Sequence, residues 1–222
     1  MLKPYKENLD YIKESIESIG QNVVDALEDA LKAIKNDELS DLKKIDLSVK
    51  QIITQSDEID NLIVKTLALH SPEASDLRAI VAYLKISNEL VRSAGNVKEF
   101  TKLFRKSFSD DLNKGTILEY TIPLLRSAHL SLKTSTTMIN ENEEAIINEK
   151  YQRVTVEESK TDDLYSMVQK NILKLITKNI DLSKDYFEIL TSLRRLEKVA
   201  DRSVAIASLL QFAKLGGEIT KS

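Results

Sequence analysis

Leu193-Arg194-Arg195-Leu196-Glu197-Lys198-Val199-Ala200-Asp201 sits at the heart of residues 182–213, the stretch whose reading decides the fold. Apolar residues recur through it at helical spacing: Tyr186, Ile189, Leu190, Leu193, Leu196, Ala200, Val204, Ala207 and Leu210. That pattern is one buried stripe about eight turns long. Glu197 and Asp201 stand four apart, so two carboxylates share a face one turn from each other. Like charges at that spacing cost roughly 0.2–0.5 kcal/mol unless something offsets them. A metal ion, a basic partner and plain water are the three candidates.

Working outward, the 222 residues hold five glycines and three prolines, so turn punctuation is scarce and the elements must be few and long. Charged residues make up 30% and interleave both signs, as on helices with one wet face. The expected fold class is all-α. Net charge is −3 without a basic block, which argues against a nucleic-acid binder. There is no cysteine, hence no disulfide framework and no thiolate nucleophile. The N-terminus has no signal-peptide core, and the longest uncharged run, residues 203–213, falls short of the ~20 apolar residues that span a bilayer. A cytoplasmic protein without membrane insertion is expected.

From the N-terminus, Pro4 suits a first helical turn. Leu9, Ile12, Ile16, Ile19, Val23, Leu27, Ala30 and Ile34 form a seam to about Lys35, with Gly20 inside it to let a neighbour approach. Leu39, Leu42, Ile45, Val49, Ile52, Ile59, Ile63 and Leu67 form a second. Ser71 as N-cap with Pro72 at the first helical position predicts a third helix carrying Leu77, Ile80, Val81, Leu84, Val91, Ala94, Val97, Phe100 and Phe104. Asp110, Asp111, Asn113 and Gly115 make the best break in the chain. A fourth helix, with Pro123 near its start, and a fifth through Val154, Leu164, Val168, Leu175 and Ile176 lead to the sixth.

The plan repeats. Asp57-Glu58-Ile59-Asp60-Asn61-Leu62 answers Ser159-Lys160-Thr161-Asp162-Asp163-Leu164 at an offset of 102, and residues 84–97 answer 190–203 at an offset of 106. Two tandem three-helix bundles of six long antiparallel helices are therefore expected, residues 1–110 and 111–222.

Ser56-Asp57-Glu58-Ile59-Asp60, then Pro72-Glu73-Ala74-Ser75-Asp76-Leu77-Arg78 and Leu84-Lys85-Ile86, resembles the first repeat of the PhoU family of phosphate-uptake regulators. Asp162-Asp163-Leu164-Tyr165 followed by Leu196-Glu197-Lys198-Val199-Ala200-Asp201 resembles the second, whose signature is Leu-Glu-Arg-Ile-Gly-Asp. The resemblance covers nearly the whole chain and implies two three-helix bundles side by side. It further implies a non-catalytic adaptor, commonly a homodimer, that bridges a phosphate ABC transporter ATPase and a membrane sensor histidine kinase and restrains phosphate-starvation signalling. In the family, Glu-x-x-x-Asp on the third helix of each bundle, with acids from a neighbouring helix, holds iron, zinc or other divalent ions.

This chain departs from that pattern. The first-repeat Glu and Asp fall on Val91 and Gly95, which ligate nothing; in the second, Arg202 and Ala205 replace the usual His and Asn. The metal-ligand candidates are accordingly Asp162, Glu197 and Asp201, with Asp163 in reserve, and Asp60 beside Asp57 and Glu58 in the first half. No cofactor is required; a divalent or iron ion at one carboxylate site is the one these residues leave room for. The alternatives are a divalent-metal-binding helical protein that uses that single site, and a diverged adaptor serving another transporter.

Rival bundle chemistries fit poorly. A di-iron bundle needs Glu-x-x-His, but Leu67 precedes His70 and Arg126 precedes His129. A phosphotransfer histidine at His129 has Ser131-Leu132-Lys133 off by one position. Gly216-Gly217 lies beyond the last helix as a C-cap and forms no phosphate-cradling loop.

Overall fold

The computed structural model describes residues 3–217, with the side chains of residues 3, 4 and 46–50 outside the description; Pro4 and Val49 of the predicted seams fall there. Six long helices account for nearly all of it: α1 Lys3–Lys35, α2 Leu42–Leu69, α3 Ala74–Ser107, α4 Lys114–Thr137, α5 Glu144–Lys178 and α6 Ser183–Leu215. Among the described residues there is no strand. Single 3-10 turns at Leu39–Asp41, Met138–Asn140 and Ile180–Leu182 complete the chain's regular structure.

Several helix ends have a local cause. Asp37 adopts φ 58° just beyond α1, a left-handed conformation that ends the helical run. Asn113 caps α4, its side-chain oxygen accepting from the Thr116 amide at 3.0 Å. Gly216 closes α6 at φ 82°, and Gly217 follows at φ 94°. The predicted Ser71 cap is not used. Helix α3 begins only at Ala74, with Glu73 at the N-cap in extended geometry and no side-chain cap. Pro123 likewise sits well inside α4 rather than in its first turn, where its missing N–H leaves one backbone carbonyl without a helical donor.

The seams bury as their spacing demands. Ile12, Ile16, Ile19, Val23, Leu27 and Ala30 of α1, and Ile52, Ile59 and Ile63 of α2, are almost fully enclosed. On α3 the buried face is wider than one stripe, because the helix lies between α2 and α6. Ala82, Tyr83, Ile86, Ser87, Leu90 and Ser93 join the predicted Ile80, Ala94, Val97, Phe100 and Phe104, whereas Leu77 is exposed and Val81, Leu84 and Val91 are half-buried.

Helices α1, α2 and α3 pack as one unit and α4, α5 and α6 as another, with the most extensive contact between α3 and α6. That pair runs antiparallel. The Arg78 guanidinium lies near Gly216, Glu89 Oε2 is 3.2 Å from Arg202 Nη1, and Ser107 Oγ donates to Glu188 Oε2. Since residues 106 apart correspond, a pseudo-twofold axis passes between Ser93–Ala94 and Val199–Ala200. All four are fully or almost fully buried, and three are small enough to let the helices close on each other. The Ser93 hydroxyl donates back to Glu89 O at 2.9 Å and Ser203 to Val199 O at 2.9 Å, so neither buried hydroxyl is orphaned. A second junction brings α1 against α4. A Cβ built on Gly20 would fall 2.6 Å from Thr136 Cγ2, so only glycine allows that approach. The two units consequently share one continuous apolar cluster.

Candidate carboxylate site on α5 and α6

Helical periodicity places Glu158 and Asp162 on one face of α5, opposite Asp201 of α6. One carboxylate oxygen from each of the three lies within 4.8 Å of the others. Glu197, a turn before Asp201, is only 5% exposed. Its Oε1 sits 2.8 Å from Arg194 Nη1 and 3.7 Å from Lys198 Nζ, while Oε2 is buried with no hydrogen-bond partner among the described residues. Lys198 Nζ also donates to Asp201 Oδ2 at 2.7 Å. The Arg194 guanidinium lies 5.1 Å from the centroid of the Tyr165 ring, which holds it over the site's edge.

Burial pushes the Glu197 carboxyl up to about 7, and the charges of Asp201 and Asp162 add to the rise against Lys198 and Arg194. Burial, then Asp162 and Asp201, also raises Glu158. The local charge is thus under-compensated: four carboxylates face one ammonium and one guanidinium. Oxygen ligands from two helices and a buried, unpaired carboxylate oxygen suit a single hard divalent cation. These residues would supply at most four protein ligands, leaving room for water.

Of the predicted ligands, Asp162 and Asp201 are brought together and Glu197 stands beside them, one turn along α6. Asp163 is exposed and outside the group. Sequence reading missed Glu158, although the i, i+4 spacing of Glu158 and Asp162 mirrors that of Glu197 and Asp201. Asp60 lies elsewhere, half-buried on α2. Burial raises its carboxyl despite a hydrogen bond with Ser87, and its Oδ1 has no hydrogen-bond partner among the described residues. Ser56 and Ser87 share a 2.6 Å bond beside it, Asp57 and Glu58 are exposed, and among the described residues Asp60 belongs to no metal-sized cluster of acids. Arg202, at the position of the family's usual His, reaches across to Glu89 of α3. His129 is half-buried on α4 facing Asp25, Glu28 and Lys32 of α1; burial first, then Lys133, lowers its imidazole.

Fold and site together define an all-helical tandem-repeat protein with an acidic face in its second repeat. The PhoU domain matches residues 16–102 and again 124–210, and the chain belongs to the PhoU family. It is 25% identical to the phosphate-specific transport system accessory protein PhoU of Edwardsiella tarda, over 96% of this chain and 88% of that one. It is also 25% identical to the PhoU homolog of Borreliella burgdorferi, over 96% of both chains. Crystal structures of PhoU from Pseudomonas aeruginosa and of the phosphate transport system regulatory protein PhoU from Streptococcus pneumoniae share the fold. Their TM-scores are 0.81 and 0.80 at 18% identity, covering 96% and 98% of this chain and 100% of each of those chains.

Proposed function

We propose that this protein is a cytoplasmic, non-catalytic regulator of phosphate uptake, an adaptor between a phosphate ABC transporter ATPase and a sensor histidine kinase. The observation that carries the reading is the double PhoU match across both halves, in relatives named for the phosphate-specific transport system. The mechanism is binding. A partner's conformational equilibrium shifts only as far as the protein's affinity differs between its states. In this reading the repeats divide near residue 110, in the segment between α3 and α4, and the protein works as a homodimer. No described helix is long and apolar enough to cross a membrane. A pull-down from phosphate-replete cells tests it: co-purification of the transporter ATPase and of the kinase is the expected result. Recovery of neither, with phosphate uptake unchanged on deletion of the gene, would refute the adaptor role.

A second reading concerns the acidic face: Glu158, Asp162, Glu197 and Asp201 hold one divalent or iron ion. The unpaired, buried Oε2 of Glu197 favours it. The Lys198 ammonium, 2.7 Å from Asp201 Oδ2, offsets part of the negative charge of these acids. Elemental analysis of purified protein beside the Glu197→Gln/Asp201→Asn variant separates this from a purely structural acid pair.

A further inference from the structure

The α5–α6 hairpin turns at residues 179–182, and three large apolar side chains stand in the open around that turn. Leu173, near the end of α5, is 45% exposed; Ile180, in the turn, is 70% exposed; Phe187, at the start of α6, is 52% exposed. Large exposed apolar side chains on both helices and in the turn between them make this tip a candidate docking surface.

The charge around them says what. Between residues 170 and 188 the chain carries Lys170, Lys174, Lys178 and Lys184 against Asp181, Asp185 and Glu188, a local charge of +1 in a chain whose net charge is −3. All four lysines are exposed; Lys170, Lys174 and Lys178 stand in no salt bridge among the described residues, while Lys184 lies near enough to Glu188 to act on its charge. Asp185 and Glu188 follow on α6 but are half-buried, and Glu188 is held by Lys106 and Ser107. The first half offers a control. Its α2–α3 tip also exposes apolar residues, Val64, Leu69 and Leu77, yet Lys65 and Arg78 there are balanced by Glu73 and Asp76. Antiparallel packing of α3 on α6 puts the two tips at opposite ends of the molecule.

We propose that the α5–α6 tip docks peripherally on an anionic lipid bilayer, with Leu173, Ile180 and Phe187 entering the headgroup boundary and the four lysines meeting lipid phosphates. Short apolar anchors combined with a lysine ring are what such a surface binds. Long lysine stems lie along the apolar patch while their ammoniums reach the headgroups. The docking is independent of the adaptor reading and goes beyond it, because it needs no protein partner.

The full-length protein is mixed with vesicles of phosphatidylcholine alone and with about 30% phosphatidylglycerol added, a content that gives a negative surface potential, and the bound fraction is read by co-sedimentation. Binding is expected to be about tenfold stronger on the anionic vesicles and to fall steeply with salt. Lys174→Glu/Lys178→Glu and Ile180→Ser/Phe187→Ser should each weaken it about fivefold or more, whereas Val64→Ser/Leu69→Ser should leave it unchanged. Far-ultraviolet circular dichroism checks that each variant keeps its helices; if the Ile180/Phe187 pair unfolds, the lysine pair decides. Equal partition into both vesicle types, no binding to either, or an equal loss in the Val64/Leu69 variant would overturn the proposal. The pull-down is read separately, so a failure there leaves this result standing.

Discussion

On α3, Val91 stands half-buried and Gly95 faces space that an added Cβ would leave open; on α6, 106 residues later, Glu197 is buried and Asp201 meets two carboxylates of α5. The helices that carry these two faces remain close relatives in packing. Ser93 and Ala94 meet Val199 and Ala200 across the pseudo-twofold, all of them enclosed, because a large side chain there would force α3 and α6 apart. Positions on the axis answer to both repeats at once. Positions turned away from it answer only to their own repeat, and there the two copies have parted: one keeps a charged pair, the other a valine and a glycine.

The largest test of that comparison is in the core. Phe100, Phe104 and Phe108 form a run on and just beyond α3, with ring centroids 5.5 and 4.8 Å apart, where the second half has Ile206, Leu210 and Lys214. Phe104→Ala is expected to cost about 3–5 kcal/mol and Leu210→Ala about 2–4, measured by urea denaturation. A smaller loss at Phe104 than at Leu210 would mean that the first half is the less firmly packed.

Glycine replacement should give opposite signs. Gly20→Ala drives a methyl into Thr136 and is expected to destabilise by about 1–3 kcal/mol, even though alanine favours the helix. Gly95→Ala meets nothing and should stabilise by about 1 kcal/mol. Thermal melts of the two variants decide it; a stabilised Gly20→Ala would show that α1 and α4 are free to separate.

Proton linkage sharpens the comparison further. Glu197 is raised to about 7 from an ordinary carboxylate, so the folded state holds an extra proton between pH ~4.5 and ~7. Its ionisation therefore costs stability as pH rises through that window, and the cost persists above it. Glu197→Gln should stabilise by about 1–3 kcal/mol at pH 8 and hardly at all at pH 4.5. His129 works the other way. Its lowered imidazole means that the unfolded chain binds the proton first, so stability falls as pH drops below about 6.5. His129→Gln should flatten that acid limb alone, a smaller effect seen in denaturation midpoints between pH 5 and 7.

Much of this was legible beforehand. Apolar spacing located all six helices, because in a chain with five glycines little else interrupts the period. The repeat offsets predicted that α3 and α6 are equivalents, and Val91 and Gly95 announced the lost acids. Other features depended on the third dimension. The Ser71-Pro72 start signal placed the beginning of α3 two residues early, since the helix starts at Ala74 behind Glu73. Glu158 entered the site because α5 turns that face to α6, which no one-helix pattern reveals. Arg202 found Glu89 on another helix, and Asp60 found Ser87 rather than a second carboxylate.

The central claim is that one repeat carries a carboxylate cluster able to hold a cation and the other does not. Calorimetric titration of the full-length protein with manganese, beside Glu197→Gln/Asp201→Asn, measures this directly. One equivalent per chain, abolished in the double variant, is the result predicted. Two equivalents, or one that survives the substitutions, would place the ion elsewhere and contradict the account, as would no binding at all.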